Sequence, residues 1–277
     1  MASDKMGLKV STVLKALLFH AGIAAWLLAL AMTVAGKLRW AAAGAVVALG
    51  AYLAGRLWSR HSPVPMPYFM RWVLLVPRGP HSPARLQRIL QPRRGERILE
   101  IGPGVGVHAL PIATSLRPDG VLDVLDAQQE MLDDLMRRAA RRGLTNIVPR
   151  QGDAQRLPYP GSTFDAAYLV SVLGEIPDAP LALRELRRVL KPAARLLVAE
   201  VLIDPDFTSL PALREMASDA GFVFERQFGP PFAYSAVFRP AVSRLAAECS
   251  RPGPATQSPV ADPGRWTAEG HAGGPTC

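Results

Sequence analysis

The chain has 277 residues, 49% of them hydrophobic and 20% charged, which excludes a disordered protein and leaves room for one or two domains with an ample core. Its two cysteines, Cys249 and Cys277, lie in the last thirty residues, which excludes a disulfide framework and any Cys-x-x-Cys metal centre and fits a reducing compartment. The net charge of +9 would ordinarily suggest nucleic acid, but residues 1–95 carry +12, residues 96–239 carry −3 and residues 240–277 balance, so the excess belongs to the N-terminal segment and no nucleic-acid partner is expected.

Residues 1–60 read as a membrane anchor of two hydrophobic helices, with membrane lipids as partner. Ala16–Ala35 is a run of 20 residues without Asp, Glu, Lys or Arg, long enough to cross a hydrocarbon core. Trp40–Gly55 is a second run of 16, short for a full span. Gly44, Ala48, Ala51 and Gly55 put small residues on one helical face, which suits close packing of two helices. Lysines before the first run and arginines after the second place both ends, and the following domain, on the cytoplasmic side. A secretory signal is the competing reading of the first run, and a buried helical pair that of both.

Residues 61–83 mix aromatic side chains, arginines and prolines. They read either as an interfacial segment or as a helix covering the active-site side of a sheet. From residue 84 to 239 the pattern alternates short apolar strands with amphipathic helices. Strands are expected at Arg97–Ile101, Val121–Leu125, Ile147–Arg150, Phe164–Ser171, Arg195–Val201, Phe222–Phe228 and Ala233–Arg239. Helices are expected at Ala84–Leu90, from near Val105 to Leu116 with a late start or a kink because of Pro111, and at Gln129–Arg142, Leu181–Leu190 and Ser209–Ala220. The alternation predicts an α/β fold, a doubly wound and mostly parallel seven-stranded sheet with helices on both faces. Residues 240–277 are poor in large apolar side chains and are expected to be a disordered tail.

The first strand breaks into Glu100-Ile101-Gly102-Pro103-Gly104-Val105-Gly106. Glycines there let the backbone approach a nucleoside closely, because no Cβ intervenes. A dinucleotide fingerprint would need its third glycine at position 107, which is Val107. Asp126 ends the second strand, 24 residues after Gly102, where a doubly wound fold presents a carboxylate to ribose hydroxyls. Gly152-Asp153-Ala154 follows the third strand, and Ser171-Val172-Leu173-Gly174-Glu175 the fourth.

Taken in order, these motifs resemble those of the class I S-adenosylmethionine-dependent methyltransferases, over roughly residues 84–239. The resemblance implies S-adenosylmethionine as cofactor. It puts Gly102, Gly104 and Gly106 beside the methionine part, Glu100 near its amino group, Asp126 on the ribose, and Asp153 with Ala154 at the adenine. A methyl donor needs alignment more than acid–base help, so a catalytic residue is hard to read; Glu175 is the candidate. Tyr68, His81 and Tyr234 are candidates for the acceptor pocket. The fourth strand lacks the Asn/Asp-Pro-Pro-Tyr/Phe of base-modifying relatives, and the domain has no cysteine for arsenic chemistry. The expectation is a membrane-anchored methyltransferase acting on a small lipophilic substrate. The alternatives are a membrane scaffold without catalysis and a methyltransferase of a soluble small molecule; the oligomeric state stays open.

Overall fold

In a computed structural model, residues 21–22, 24–27, 29–30, 38–61, 65–75 and 79–241 are described. Seven strands form one sheet: β1 Arg97–Ile101, β2 Val121–Asp126, β3 Ile147–Gln151, β4 Phe164–Val170, β5 Leu190–Val201, β6 Phe222–Phe228 and β7 Ala233–Pro240. Their order is β3-β2-β1-β4-β5-β7-β6. The first five run parallel, and β7 runs antiparallel to both β5 and β6, so the sheet is mixed at one edge.

Each of the central strands is apolar on both faces because both are covered. In β1, Ile98 enters the core under helices α2 (Pro83–Leu90), α3 (Ala109–Leu116) and α4 (Gln129–Arg141), while Leu99 and Ile101 enter the core under α5 (Ala179–Val189) and α6 (Leu210–Asp219). Burying a Leu- or Ile-sized side chain contributes roughly 1.5–3 kcal/mol, so these two layers hold the sheet rigid beneath the loops at its carboxyl edge. Helix α3 begins at Ala109, the late start expected of Pro111, which lies in its first turn where its missing N–H costs no hydrogen bond. Helix α5 starts at Ala179, two residues before the expected start, because the Asp178 side chain accepts a hydrogen bond from Leu181 N at 2.8 Å and caps it.

The second hydrophobic run lies within α1, Leu38–His61. The described part of the first run is helical and packs on it through small residues. A Cβ added at Gly44 would stand 2.9 Å from the Ala29 Cβ and 3.1 Å from the Ala25 carbonyl oxygen. The expected close helix pair is present at this point. Among the described residues, however, no helix is long and apolar enough to cross a membrane, so a transmembrane hairpin is not supported. Residues 16–20, 23, 28 and 31–35 of the first run, and residues 242–277 of the expected tail, lie outside the described residues.

The 61–83 segment holds a 3-10 helix, Tyr68–Leu75. Met70 in it is buried, and Leu74 lies against the turn that follows β1.

Candidate active site

Strand order reverses between β1 and β4, which leaves a crevice at their carboxyl ends. A cleft of about 620 Å³ opens there. Its floor is the turn after β1, where Gly102, Gly104 and Gly106 have φ of 65°, 51° and 84°, a region that disfavours every residue with a Cβ. The three glycines have different neighbours. A Cβ at Gly102 would meet Val172 Cγ2 at 2.5 Å, and one at Gly104 would meet Leu74 Cδ1 at 2.6 Å. Both face the cleft. Gly106 faces the other way, toward Leu135 and Leu110, and lets the following helix settle on the sheet.

Asp126 is buried at the end of β2 and takes Gly104 N–H on Oδ2 at 3.3 Å and Gln128 N–H on Oδ1 at 2.9 Å. Burial raises its pKa, and these backbone donors partly hold it down. Asp153 and Ala154 line the same cleft from the loop after β3. Asp153 lies exposed, with Gln155 donating to it through both its backbone and its side chain. Glu100 does not line the cleft. It is paired in register with Tyr168 of β4 and accepts that hydroxyl at 2.6 Å; complete burial pushes its pKa up to about 8.

Glu175 lines the wall opposite Asp126 and accepts Met66 N–H on Oε2 at 3.3 Å. It closes a short 3-10 turn, Leu173–Glu175, held by close packing: a Cβ at Gly174 would sit 1.8 Å from the Asp206 carbonyl oxygen. The three candidates for the acceptor pocket lie elsewhere. Tyr234 is buried in β7 with its hydroxyl donating to the Thr208 carbonyl at 2.8 Å. His81 is buried with Nε2 3.2 Å from the Tyr234 carbonyl oxygen. Tyr68 stacks under the Arg71 guanidinium, 4.4 Å from its ring centroid. None of the three lines the cleft.

Three contributors went unnoticed in the sequence. Met66 and Leu74 reach the cleft from the cover, and Gln128 Nε2 donates to the Met66 carbonyl at 2.7 Å. Met66 is thus held on both sides, its N–H by Glu175 and its C=O by Gln128, and the chain there spans the cleft. Remote backbone contacts of this kind leave no local sequence signal.

The charge of the lining is one-sided. Among the described residues that line it, Asp126, Asp153, Glu175 and Asp204 contribute four carboxylates, and none is Lys, Arg or His. Such a lining favours a cationic ligand, which fits a sulfonium bearing an ammonium group. The glycine floor admits such a ligand closely, and Asp126 offers two oxygens to a cis diol.

Residues 98–193 match the family model described as a methyltransferase domain. These residues are a methyltransferase domain. The chain is 38% identical over 109 residues to a ubiquinone/menaquinone biosynthesis C-methyltransferase of Cellvibrio japonicus, covering 39% of this chain and 44% of that one. It is 30% identical over 138 residues to a 27-O-demethylrifamycin SV methyltransferase of Amycolatopsis mediterranei, covering half of each. It spans about half the length of these curated relatives. Among solved structures, a methyltransferase from Aquifex aeolicus superposes with a TM-score of 0.58 at 19% identity, over 63% of this chain and 98% of that one, which shows the shared fold. The methyltransferase domain accounts for β1 through the start of β5; the cover and the paired helices precede it.

Proposed function

We propose that the chain transfers a methyl group from S-adenosylmethionine to a small, uncharged, lipophilic acceptor. The observation that carries this reading is the cleft lining. The acidic lining favours the cationic donor, while Met66, Leu74, Val172, Ile176 and Pro177 supply apolar wall for an acceptor. Both curated relatives act on organic small molecules by their names, a quinone and a rifamycin, which agrees in substrate class.

Bound on the glycine floor, S-adenosylmethionine supplies an electrophilic methyl on a sulfonium, a good leaving group. The protein's part is positional. Asp126, held by two backbone donors, fixes the ribose end; Glu175 and Gln128 hold Met66 across the cleft and so keep water from it. Where the acceptor must lose a proton, Glu175 is the carboxylate on the wall opposite Asp126 that is available to take it.

A membrane location is a second reading of the same activity, favoured by the exposed Val46, Val47, Leu49, Leu53 and Leu57 of α1. The experiment incubates the full chain with methyl-labelled S-adenosylmethionine and host extract, then splits the products between organic and aqueous phases. Label in the organic phase that depends on an intact Gly104 is the expected result. Label confined to the aqueous phase overturns the lipophilic acceptor, and absence of S-adenosylmethionine binding overturns the methyltransferase reading itself.

A further inference from the structure

The loop after β5, residues 202–208, reaches the acceptor side of the cleft: its Asp204 lines the cleft together with Glu175, Ile176 and Pro177. Both ends of the loop are fastened to the sheet. Leu202 N–H donates to the Phe232 carbonyl at 2.8 Å, and Thr208 N–H donates to Glu200 Oε2 at 3.3 Å. Phe207 meets the Tyr234 ring edge-on, with centroids 6.1 Å apart. The middle of the loop packs against the turn that carries Glu175, since the Asp206 carbonyl oxygen fills the space where a Gly174 Cβ would stand.

Charge works against that packing. Burial raises the pKa of Glu200, and Asp204, Asp206 and Glu175 raise it further, so loop and turn bring like charge into one region. Glu200 holds the far end of the loop through Oε2, while its buried Oε1 has no hydrogen-bond partner. Like charges on two facing segments push them apart. The position of the loop therefore depends on what holds its outer side.

Helix α1 supplies that hold. Tyr52 and Arg56 lie one turn apart on the same helical face. The Tyr52 hydroxyl donates to the Leu202 carbonyl, and an Arg56 guanidinium N–H donates to the Asp204 carbonyl at 3.4 Å. The same guanidinium nitrogen donates to the Tyr52 hydroxyl oxygen at 3.4 Å, and the guanidinium carbon stands 5.6 Å from the centre of the Phe207 ring. A cation at this place also offsets the negative charge of the loop. Both sides of the contact, α1 and the loop, lie outside residues 98–193, the part that matches the methyltransferase family.

We propose that Arg56, aided by Tyr52, is a positioning residue for methyl transfer: from α1 it holds the loop after β5 against the turn of Glu175 and so fixes the acceptor side of the cleft. The proposal rests on the methyltransferase reading given above. Gly102, Gly104 and Asp126, at the ends of β1 and β2, form the donor side and do not depend on this contact. Methyl transfer depends on alignment, so a displaced acceptor wall costs transfer without costing donor binding.

The test compares the full chain with its Arg56→Ala, Arg56→Lys and Tyr52→Phe variants. Amide hydrogen exchange with S-adenosylhomocysteine bound reports on the loop and the turn. Arg56→Ala is expected to speed exchange over residues 202–208 and 173–176 about tenfold, the equivalent of one charged hydrogen bond, and to leave β1 and β2 unchanged. Label from methyl-labelled S-adenosylmethionine is then followed against increasing amounts of organic-soluble host extract. The amount giving half-maximal transfer should rise about tenfold in Arg56→Ala, with S-adenosylmethionine affinity unchanged in equilibrium dialysis. Arg56→Lys keeps the charge and should restore part of both effects, and Tyr52→Phe should shift both in the same direction by less. Unchanged exchange of the loop in Arg56→Ala and Tyr52→Phe overturns the proposal, as does a loosened loop with unaltered half-saturation. Parallel losses of S-adenosylmethionine affinity and of transfer would make α1 a support of the whole domain and overturn it as well. Should Arg56→Ala fail to fold, Arg56→Lys and Tyr52→Phe decide by the same readings. Failure of the methyltransferase reading shows in the parent chain itself, as absent S-adenosylmethionine binding or absent label transfer.

Discussion

Gly104 carries more of the site than any other single residue. Its φ of 51° costs a β-branched residue roughly 1–2 kcal/mol in backbone strain, and an added Cβ would project into the cleft against Leu74. Gly104→Val is expected to abolish S-adenosylmethionine binding in equilibrium dialysis while the far-ultraviolet circular dichroism stays native; unchanged affinity would remove the glycine floor from the site. Asp126→Ala should weaken the same binding by about 1–3 kcal/mol, the usual cost of removing one side of a charged hydrogen bond. Part of that loss would come from the freed Gly104 and Gln128 N–H groups, which Asp126 now accepts. Glu175 has two separable tasks. Gln at this position still accepts Met66 N–H but takes no proton. If Glu175 is the base, Glu175→Gln lowers kcat by about 10²-fold or more with KM little changed. If it only holds the cover, Gln preserves kcat and Glu175→Ala raises KM.

At the scale of elements, the turn after β4 and the loop after β5 pack as one unit, because the Asp206 carbonyl oxygen occupies the space where a Cβ on Gly174 would stand. Gly174→Ala would place a methyl 1.8 Å from that oxygen, so one of the two backbones must shift. The expected outcome is a displaced Glu175, read as a loss of kcat larger than the loss of thermal stability; equal kcat would mean that the loop yields instead. A cover was one of two readings of residues 61–83, but this contact was not readable in the sequence. The strands were, because β1, β2 and β4 are buried on both faces and so appear as short apolar runs between turn residues. The start of β5 was not, since Lys191-Pro192 looks like a stop, yet the strand pairs with Phe164 from Leu190 onward. Gly102, Gly104, Asp126, Asp153, Ala154 and Glu175 could be placed at the cleft because each sits where a strand ends, a position fixed by local pattern. Tyr68, His81 and Tyr234 were misplaced because their positions depend on how remote segments fold over the sheet. Glu100 was misplaced for a different reason: strand alternation turns it toward Tyr168 and away from the cleft.

At the scale of the whole molecule, the buried carboxyls set how stability depends on pH. Burial raises Glu100 from 4.5 to about 8, and raises Glu200 well above 4.5, with Asp204, Asp206 and Glu175 adding to the effect. A raised pKa means that the folded protein holds protons which the unfolded chain has released. Stability from Glu100 is therefore complete below the unfolded value of 4.5 and is lost progressively as pH rises toward about 8. The surface carboxyls act in the opposite sense and in a different range. Glu185 and Glu225 are held below 4.5 by hydrogen bonds from arginines, so their contribution is lost only on acidification through that lower range. Between those limits the buried pair decides the slope, and the melting temperature should fall from mildly acidic to mildly alkaline pH. Glu100→Gln keeps an acceptor for the Tyr168 hydroxyl but cannot ionise. It should flatten the fall between pH 5 and about 8 and melt higher than the parent chain at the alkaline end. Glu200→Gln should remove a further part of the slope. Parallel profiles for the parent and the Glu100→Gln protein would show that Glu100 does not titrate in this range.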